Sequence, residues 1–203
     1  MPELGVSNAQ LILAAKQTAY MVFVSLAADS ILPNRFIYGI LNTIINTVRS
    51  VPFIILMVFI MPLTKMVVGT RIGTTAALVP LVIFIAPYLT RLFENSLLDV
   101  DRGIIEAAQA MGASYFEIIW YFLLPEAKGS LILSITTGTI GLLGATAMAG
   151  AIGAGGVGDL ALTYGYERMN TPLMFLTVVI LIIFVQIIQT VGNHFAFKSR
   201  NHE

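Results

Sequence analysis

Long uncharged stretches alternate along this chain with short clusters of charged residues. Residues 129–158 and 170–193 contain no charged side chain, and both exceed the about 20 mainly apolar residues that a transmembrane helix needs. Residues 74–90 are also uncharged and include Pro80 and Pro87. Prolines seven residues apart lie on one helix face, so this stretch predicts a span that is kinked twice toward one side. The pattern therefore predicts three membrane-spanning helices.

The pattern is less regular in the first third of the chain. Residues 36–64 are apolar but are interrupted by Arg49 and Pro52. Because a proline disfavours the helical conformation in the residue before it, we expect a short helix, a break and then a span, with Arg49 near an interface. Residues 17–28 are apolar over only about 18 Å of helix, against a membrane core of about 30 Å. That stretch either lies along the interface or belongs to an incomplete first span.

Composition agrees with an integral membrane protein. The 203 residues are 57% hydrophobic and 11% charged, whereas soluble domains carry roughly a quarter charged residues. The 11 basic and 11 acidic residues balance, which gives no indication of a nucleic-acid partner. There is no cysteine, and the two histidines, His194 and His202, are expected in a C-terminal tail. We therefore predict neither a metal site nor a cofactor.

Basic residues between the spans predict the orientation. The positive-inside rule is better satisfied when residues 99–127 and the C-terminus are cytoplasmic. Five spans would then leave the N-terminus outside. The basic residues placed inside are Arg35, Arg91, Arg102, Lys128, Lys198 and Arg200, and those placed outside are Lys65, Arg71 and Arg168.

The most polar segment between the spans contains the sequence EAAQAMGASYFEIIWYFLLPEA, residues 106–127. Asp101 is a suitable N-cap for a short helix before it, and Gly112 is a suitable left-handed residue at the end of that helix. Ser114 and Glu117 then have the spacing of a capping box, which starts a second helix.

That second helix is expected to stop at Leu124-Pro125, with Pro125 in the first turn of the following span. Two short helices would then form a compact cytoplasmic element tied to spans at both ends. An amphipathic loop on the bilayer surface is one interpretation. A docking element for a soluble partner is the other, because Gly112 leaves the turn bare and Glu106 and Glu117 offer negative charge, whereas lipid-bound helices are rich in Lys and Arg.

Several stretches together resemble the permease subunits of ABC importers, and in particular the methionine-importer permeases. The EAA loop of that family is matched by E-A-A at residues 106–108, G at 112, I at 118 or 119 and L-P at 124–125. The likeness continues through RSVPFIIL, VGTRIG, APYLTRLFENSLLDV and AMAGAIGAGGVGDLALTYGY, and covers roughly residues 42–193. The family normally has a full first span, whereas here a piece is absent between Leu26 and Ile31, so the first span is expected to be truncated.

The resemblance implies an all-α integral membrane protein with the five-helix core of a type I ABC importer. Residues 1–203 would be one permease domain, with residues 99–127 as its cytoplasmic coupling loop. It implies a multi-pass protein of the bacterial inner membrane that moves an amino acid, methionine by likeness alone, through alternating access. The implied partners are two ATPase subunits, a second copy of the chain, an external substrate-binding lipoprotein and membrane lipid. The residues assigned to ATPase contact are Glu106, Ala107, Ala108, Met111, Gly112, Ala113, Leu124 and Pro125.

Neither of two common nucleotide-binding motifs supports an enzyme function for this chain. GAGGVG at residues 153–158 matches G-x-G-x-x-G in letters, but a dinucleotide site needs a strand before it and an acidic residue about 20 positions later, and no carboxylate lies between Pro172 and Asn193. The glycines instead predict a flexible external loop. No phosphate-binding G-x-x-x-x-G-K-[ST] sequence occurs, so ATP hydrolysis is expected on a separate chain, and no catalytic residues are assigned.

The span at residues 129–158 is rich in glycine and hydroxyl residues. Packing between helices explains such a composition on its own. The functional interpretation is that this helix lines the translocation path, with Met148 in an apolar gate near its external end, and Gly144, Thr137 and Pro87 along the path. Gln186 and Gln189 of the last span are expected to bond a neighbouring helix.

Two other functions stay open from the residues alone. A secondary carrier or small channel would need no ATPase, although the charge-free cores of the predicted spans count against coupling to protons or sodium. A membrane-bound scaffold would carry no substrate.

Overall fold

Eight helices follow one another in residues 35–200, the part of the chain that the computed structural model describes. No strand occurs within this range. The helices are α1 (Arg35–Ser50), α2 (Phe53–Phe59), α3 (Met61–Val68), α4 (Thr74–Leu98), α5 (Arg102–Ala110), α6 (Tyr115–Ile152), α7 (Val157–Asp159, continued by Leu160–Glu167) and α8 (Thr171–Arg200). Helices α4, α6 and α8 are long and apolar enough to cross a membrane, so the three spans predicted from the uncharged stretches are confirmed. The stretch at residues 17–28 and the proposed deletion lie outside the described residues.

A sharp bend separates α1 from α2. The helix axes differ by 103° across Val51-Pro52, and the Pro52 carbonyl accepts hydrogen bonds from the N–H groups of Ile55 (2.9 Å) and Leu56 (3.0 Å). The predicted break is therefore confirmed, but the predicted order of a short helix and then a span is wrong. The longer helix precedes the break, and the apolar stretch after it is divided between α2 and α3. Pro62 explains the division, because a proline ring clashes with the carbonyl one turn earlier and interrupts the helix.

The core forms where α4 packs on α6. A cluster of buried side chains from α2, α4 and α6 lies near one end, consisting of Phe53, Met57, Ala76, Ala77, Leu81, Ala145, Ala149 and Ile152. Further along, the hydroxyl groups of Ser96 and Ser134 lie 2.7 Å apart in a buried hydrogen bond between the two helices. A Cβ added at Gly138 would overlap the Leu89 side chain. The packing interpretation is therefore confirmed for this face of α6.

Helix α4 continues through both of its prolines. Pro80 and Pro87 are both buried, which agrees with their predicted placement on one helix face. Both belong to a helix of 25 residues, which is longer than the uncharged stretch from which it was predicted and includes Arg91 and Glu94.

Helix α8 crosses α6 at a glycine. A Cβ added at Gly192 would overlap the side chain of Thr136. The two helices therefore approach so closely at this position that only glycine fits. The helix runs to Arg200, and the prediction that His194 lies in a tail is therefore wrong: it is an exposed helical residue. Gln186 and Gln189 are exposed and have no hydrogen-bonded neighbour among the described residues.

The glycine-rich stretch after α6 is largely bonded to the rest of the molecule. The N–H of Gly73 donates to the Ile152 carbonyl (2.9 Å), and the Thr74 hydroxyl donates to the Ala154 carbonyl (3.0 Å). Gly158 is buried in α7, where a Cβ would overlap the backbone of Ala147. The expectation of a flexible loop is thus wrong for Gly158, because it permits close packing of two helices.

Candidate coupling segment and translocation face

The coupling segment, residues 99–127, begins with the short helix α5. The N–H of Gly103 donates to the Asp101 carboxylate (2.6 Å), which confirms the predicted N-cap. One face of α5, with Ile104 and Ile105, packs on a buried cluster between the end of α4 and the base of α6, which includes Leu97 and Leu123. Such packing fixes the helix against the membrane-spanning part of the molecule.

Gly112 ends α5 in the conformation predicted for it. Its φ of 81° is left-handed, the N–H of Ala113 donates to the Ala108 carbonyl (3.1 Å), and the N–H of Gly112 donates to the Gln109 carbonyl (2.9 Å). These two bonds form a Schellman motif, which satisfies the last carbonyl groups of the helix. A Cβ at Gly112 would have no heavy atom within 4 Å, so the turn is open to a partner.

The predicted capping box follows directly. The N–H of Ser114 donates to the Glu117 carboxylate (2.8 Å), and the N–H of Glu117 donates to the Ser114 hydroxyl (3.4 Å). Both bonds were expected from the spacing, and they start α6 at Tyr115.

The expectation that the helix stops at Leu124-Pro125 is wrong. Helix α6 continues through Pro125 to Ile152, and Leu124 keeps a helical backbone (φ −67°, ψ −42°). A π-helix, Ile118–Leu123, ends two residues before the proline. A wider turn with i→i+5 bonds lets the helix pass a residue that lacks an N–H, because the normal i→i+4 pattern is already interrupted. The coupling segment is therefore one short helix joined to the base of a long one.

The eight residues assigned to ATPase contact lie on different sides of this segment. Ala108, within α5, is fully buried. Ala113 and Leu124 are half-buried, and Pro125 is exposed. Of the eight, the residues exposed on α5 and its turn are Glu106, Ala107, Met111 and Gly112.

Helix α6 also presents an open face to the outside of the single chain. Thr137, Gly144 and Met148 are exposed, and their spacing puts them on one stripe of the helix. A Cβ at Gly144 would meet no heavy atom within 4 Å, and Met148 is 46% exposed. Pro87 does not join this stripe because it is buried in α4.

The chain matches a family model at residues 21–200. The model describes the inner membrane component of binding-protein-dependent transport systems. The chain belongs to this family. The family thus identifies it as a multi-pass permease of the inner membrane.

Two curated relatives of this permease are similar over most of their length. A probable D-methionine transport system permease of Vibrio cholerae is 44% identical over 204 residues, which cover 92% of this chain and 91% of the relative. A methionine import system permease of Bacillus subtilis is 44% identical over 164 residues, 81% of this chain and 74% of the relative.

A solved structure has the same fold as this permease. An inward-facing MetNI methionine ABC transporter superposes with a TM-score of 0.80 at 37% identity, covering 93% of this chain and 92% of the other. The permease therefore has the all-helical fold of a type I ABC importer. A structure of an amino acid ABC transporter with histidines, at 19% identity and a TM-score of 0.70, agrees with that fold.

One charged pair in the permease was not expected. The guanidinium of Arg91 lies 2.6 Å from the carboxylate of Glu94, and both belong to α4, a helix long enough to span the membrane. The predicted span ended at Thr90 and was therefore expected to be free of charge, whereas α4 continues through Arg91 and Glu94. The signal that would have extended it is the apolar residues that continue past Thr90, with Leu92 and Phe93 between the two charged residues and Leu97 after them.

Proposed function

We propose that this permease is the membrane-spanning subunit of an ATP-driven methionine importer. In this proposal two copies of the chain form the path, two ATPase subunits bind on the cytoplasmic side, and an external lipoprotein delivers the substrate. The observation that carries the coupling role is the open turn at Gly112, held on a short helix whose inner face packs on the base of α6. The substrate assignment comes from the methionine permeases that the chain resembles.

Coupling would act through the packed base of α6. Closure of the ATPase pair on ATP pushes on the exposed side of α5, with Glu106, Met111 and Gly112 at the contact. Ile104 and Ile105 pass the displacement to Leu123 in α6, because close-packed side chains transmit rather than absorb strain. Hydrolysis then releases the contact and the permease resets.

The open stripe of α6 would line the path in the dimer. Thr137 offers a hydroxyl, Gly144 leaves room for the substrate, and Met148 closes the external end as an apolar gate. A thioether side chain is flexible and uncharged, so it adapts its shape without holding a zwitterion.

Reconstitution tests the proposal. The permease is co-expressed with a candidate ATPase, and the purified complex is placed in liposomes with the binding lipoprotein. We expect methionine uptake only with ATP, and unchanged uptake when ionophores remove all ion gradients. The control is an ATPase variant that binds ATP without hydrolysing it.

The competing proposal is a secondary carrier. The Arg91–Glu94 pair is the observation that favours it, since charges within membrane spans mark ion pathways. That alternative predicts uptake by the permease alone under an ion gradient. A permease that neither binds the ATPase nor moves methionine would favour a scaffold.

A further inference from the structure

The open stripe of α6 is met by a tyrosine of α4. A Cβ added at Gly141 would lie 3.3 Å from Cε1 and 3.8 Å from Cζ of Tyr88, so the ring rests against this glycine, with the carbon that carries the hydroxyl group at the contact. Gly141 follows Thr137 by one helical turn and precedes Gly144 by another, which puts it on the same stripe. Pro87 is buried, and the residue after it reaches the stripe instead.

This contact lies deep within both helices. Tyr88 is about 21 Å along the axis from the Thr74 end of α4 and about 15 Å from the Leu98 end. Gly141 lies near the middle of the uncharged residues 129–158. A hydroxyl group at this depth needs a bonded partner or a water-filled path, because leaving it unbonded in an apolar environment is costly.

Two aromatic contacts hold the Tyr88 ring in place. The Phe84 ring, one turn earlier on α4, stacks on it with the ring centroids 6.3 Å apart and the ring planes 8° apart. Phe53 of α2 packs edge-on against Phe84, with the centroids 5.2 Å apart. Aromatic pairs of this kind are stabilised beyond the area that they bury. The ring and its hydroxyl group are therefore positioned before any ligand arrives.

Two hydroxyl groups at this contact have no partner within the described part of the chain. The Tyr88 hydroxyl is one, on a half-buried side chain, and its oxygen is open rather than enclosed. The other belongs to Thr137, which is exposed one turn from Gly141. All other serine and threonine residues of α6 donate to backbone carbonyl groups, as Thr139 does to Ile135 (2.8 Å).

A carboxylate fits two unpaired hydroxyl groups. Each hydroxyl donates one proton, and an ionised carboxylate has two oxygen atoms that only accept. An ammonium group has only donors, so it would leave both O–H protons unused. No basic residue lies in residues 129–158, so these O–H groups are the donors that this part of the stripe offers to an anion. Hydrogen bonds to a charged group are also shorter and stronger than neutral ones.

We propose that Tyr88 and Thr137 bind the carboxylate group of the transported amino acid, each hydroxyl donating one hydrogen bond. The inference rests on the proposed function and adds to it a residue of α4 and the substrate group that is held. Gly141 and Gly144 leave space beside the two hydroxyls for the rest of the substrate. Because every amino acid carries a carboxylate, this contact does not select a side chain.

Equilibrium dialysis with radiolabelled methionine tests the two hydroxyl groups. The full-length permease is held in lipid nanodiscs without the ATPase or the lipoprotein, so that no other protein contributes a methionine site. Tyr88→Phe and Thr137→Val each remove a hydroxyl group with little change in shape. Each should weaken binding by about tenfold or more, as expected for a lost hydrogen bond to a charged group.

Matched variants control for structural effects. Thr137→Ser keeps a hydroxyl group and should keep binding. Thr139→Val removes a hydroxyl that already bonds its own helix, and Tyr166→Phe removes an exposed one on α7, so both should bind methionine as the unaltered chain does. Unfolding temperatures show that each variant is folded.

Methionine amide identifies the group that is bound. It has a neutral amide in place of the carboxylate, so it should bind the unaltered permease more weakly than methionine does. Tyr88→Phe should then weaken binding of the amide clearly less than binding of methionine. An equal loss for the two ligands would overturn the assignment to the carboxylate.

Uptake separates this inference from the proposed function. Liposomes with the unaltered permease, the ATPase and the lipoprotein should take up methionine with ATP. If they do, while Tyr88→Phe and Thr137→Val bind methionine as tightly as the unaltered chain, the carboxylate contact is refuted and the proposed function stands. The same conclusion follows if the unaltered permease alone binds no methionine. Absence of both binding and ATP-driven uptake would overturn the proposed function as well.

Discussion

Replacement of Gly112 by tryptophan would test whether the coupling turn enters the ATPase. Any side chain at φ 81° adopts a left-handed conformation that costs about 1–2 kcal/mol. That cost falls on both Gly112→Ala and Gly112→Trp, and a Cβ meets nothing within 4 Å. The two variants should thus have similar stability in the free permease, and the alanine variant is a matched control for backbone strain.

The two variants differ in bulk at the contact. Forcing a large side chain into a packed interface costs about 1–3 kcal/mol, which corresponds to a loss of affinity of about 5- to 140-fold. We expect Gly112→Trp to bind the ATPase more weakly than Gly112→Ala by a factor in this range. Titration of the detergent-solubilised permease with labelled ATPase measures both affinities, and immunoblotting of membranes measures abundance. Equal affinities for the two variants would refute entry of the turn into the ATPase.

Three further changes test other parts of the molecule. Glu106→Lys should keep membrane abundance while uptake falls strongly, because breaking one partner of a desolvated charged contact costs about 2–5 kcal/mol; full uptake at full abundance would contradict the contact. Gly192→Ala should lower the unfolding free energy by about 1–3 kcal/mol through overlap with α6, whereas Gly144→Ala, with open space around it, should not; equal loss in both would contradict the close crossing. Ser134→Ala should lower the unfolding free energy by only about 0.6 kcal/mol, a typical value for a hydrogen bond between membrane helices. Chemical unfolding in mixed micelles measures this change, and a clearly larger loss would contradict the expected value.

Local structure in the coupling segment was predictable because it depends on neighbouring residues. Asp101, Gly112 and the Ser114–Glu117 pair each specify a cap within one helical turn. Their hydrogen bonds are formed by side chains and backbone of the same short stretch, so no knowledge of the rest of the chain was needed.

The end of a helix at a proline was not predictable in the same way. Pro62 interrupts the helix before it, whereas Pro80, Pro87 and Pro125 lie within continuous helices. The difference depends on packing around each residue and on the π-helical turn before Pro125, and neither is visible in the spacing of the sequence. The burial of Ala108 was missed for a related reason, since it depends on how α5 packs against the rest of the chain.

The candidate translocation face was predictable only in part. Thr137, Gly144 and Met148 share a stripe because all three lie on one helix, where the period of 3.6 residues determines which side chains align. Pro87 lies on another helix, and its burial depends on how α4 rotates against α6. The Arg91–Glu94 pair was missed because the span was ended at the last uncharged residue.

The continuity of α6 limits which changes in chain length the permease tolerates. One uninterrupted helix joins Glu117 at its base to Met148 near its far end, so the angle between them depends on the number of residues between them. Insertion of one residue in a regular α-helix would turn the Thr137–Met148 stripe by about 100° and shift it by about 1.5 Å relative to the coupling segment. The π-helical turn at Ile118–Leu123 already holds an additional residue compared with an α-helical turn. Deletion of one residue there could restore a regular turn with less disturbance than a deletion elsewhere, so natural length variation in this helix is expected to concentrate at that turn.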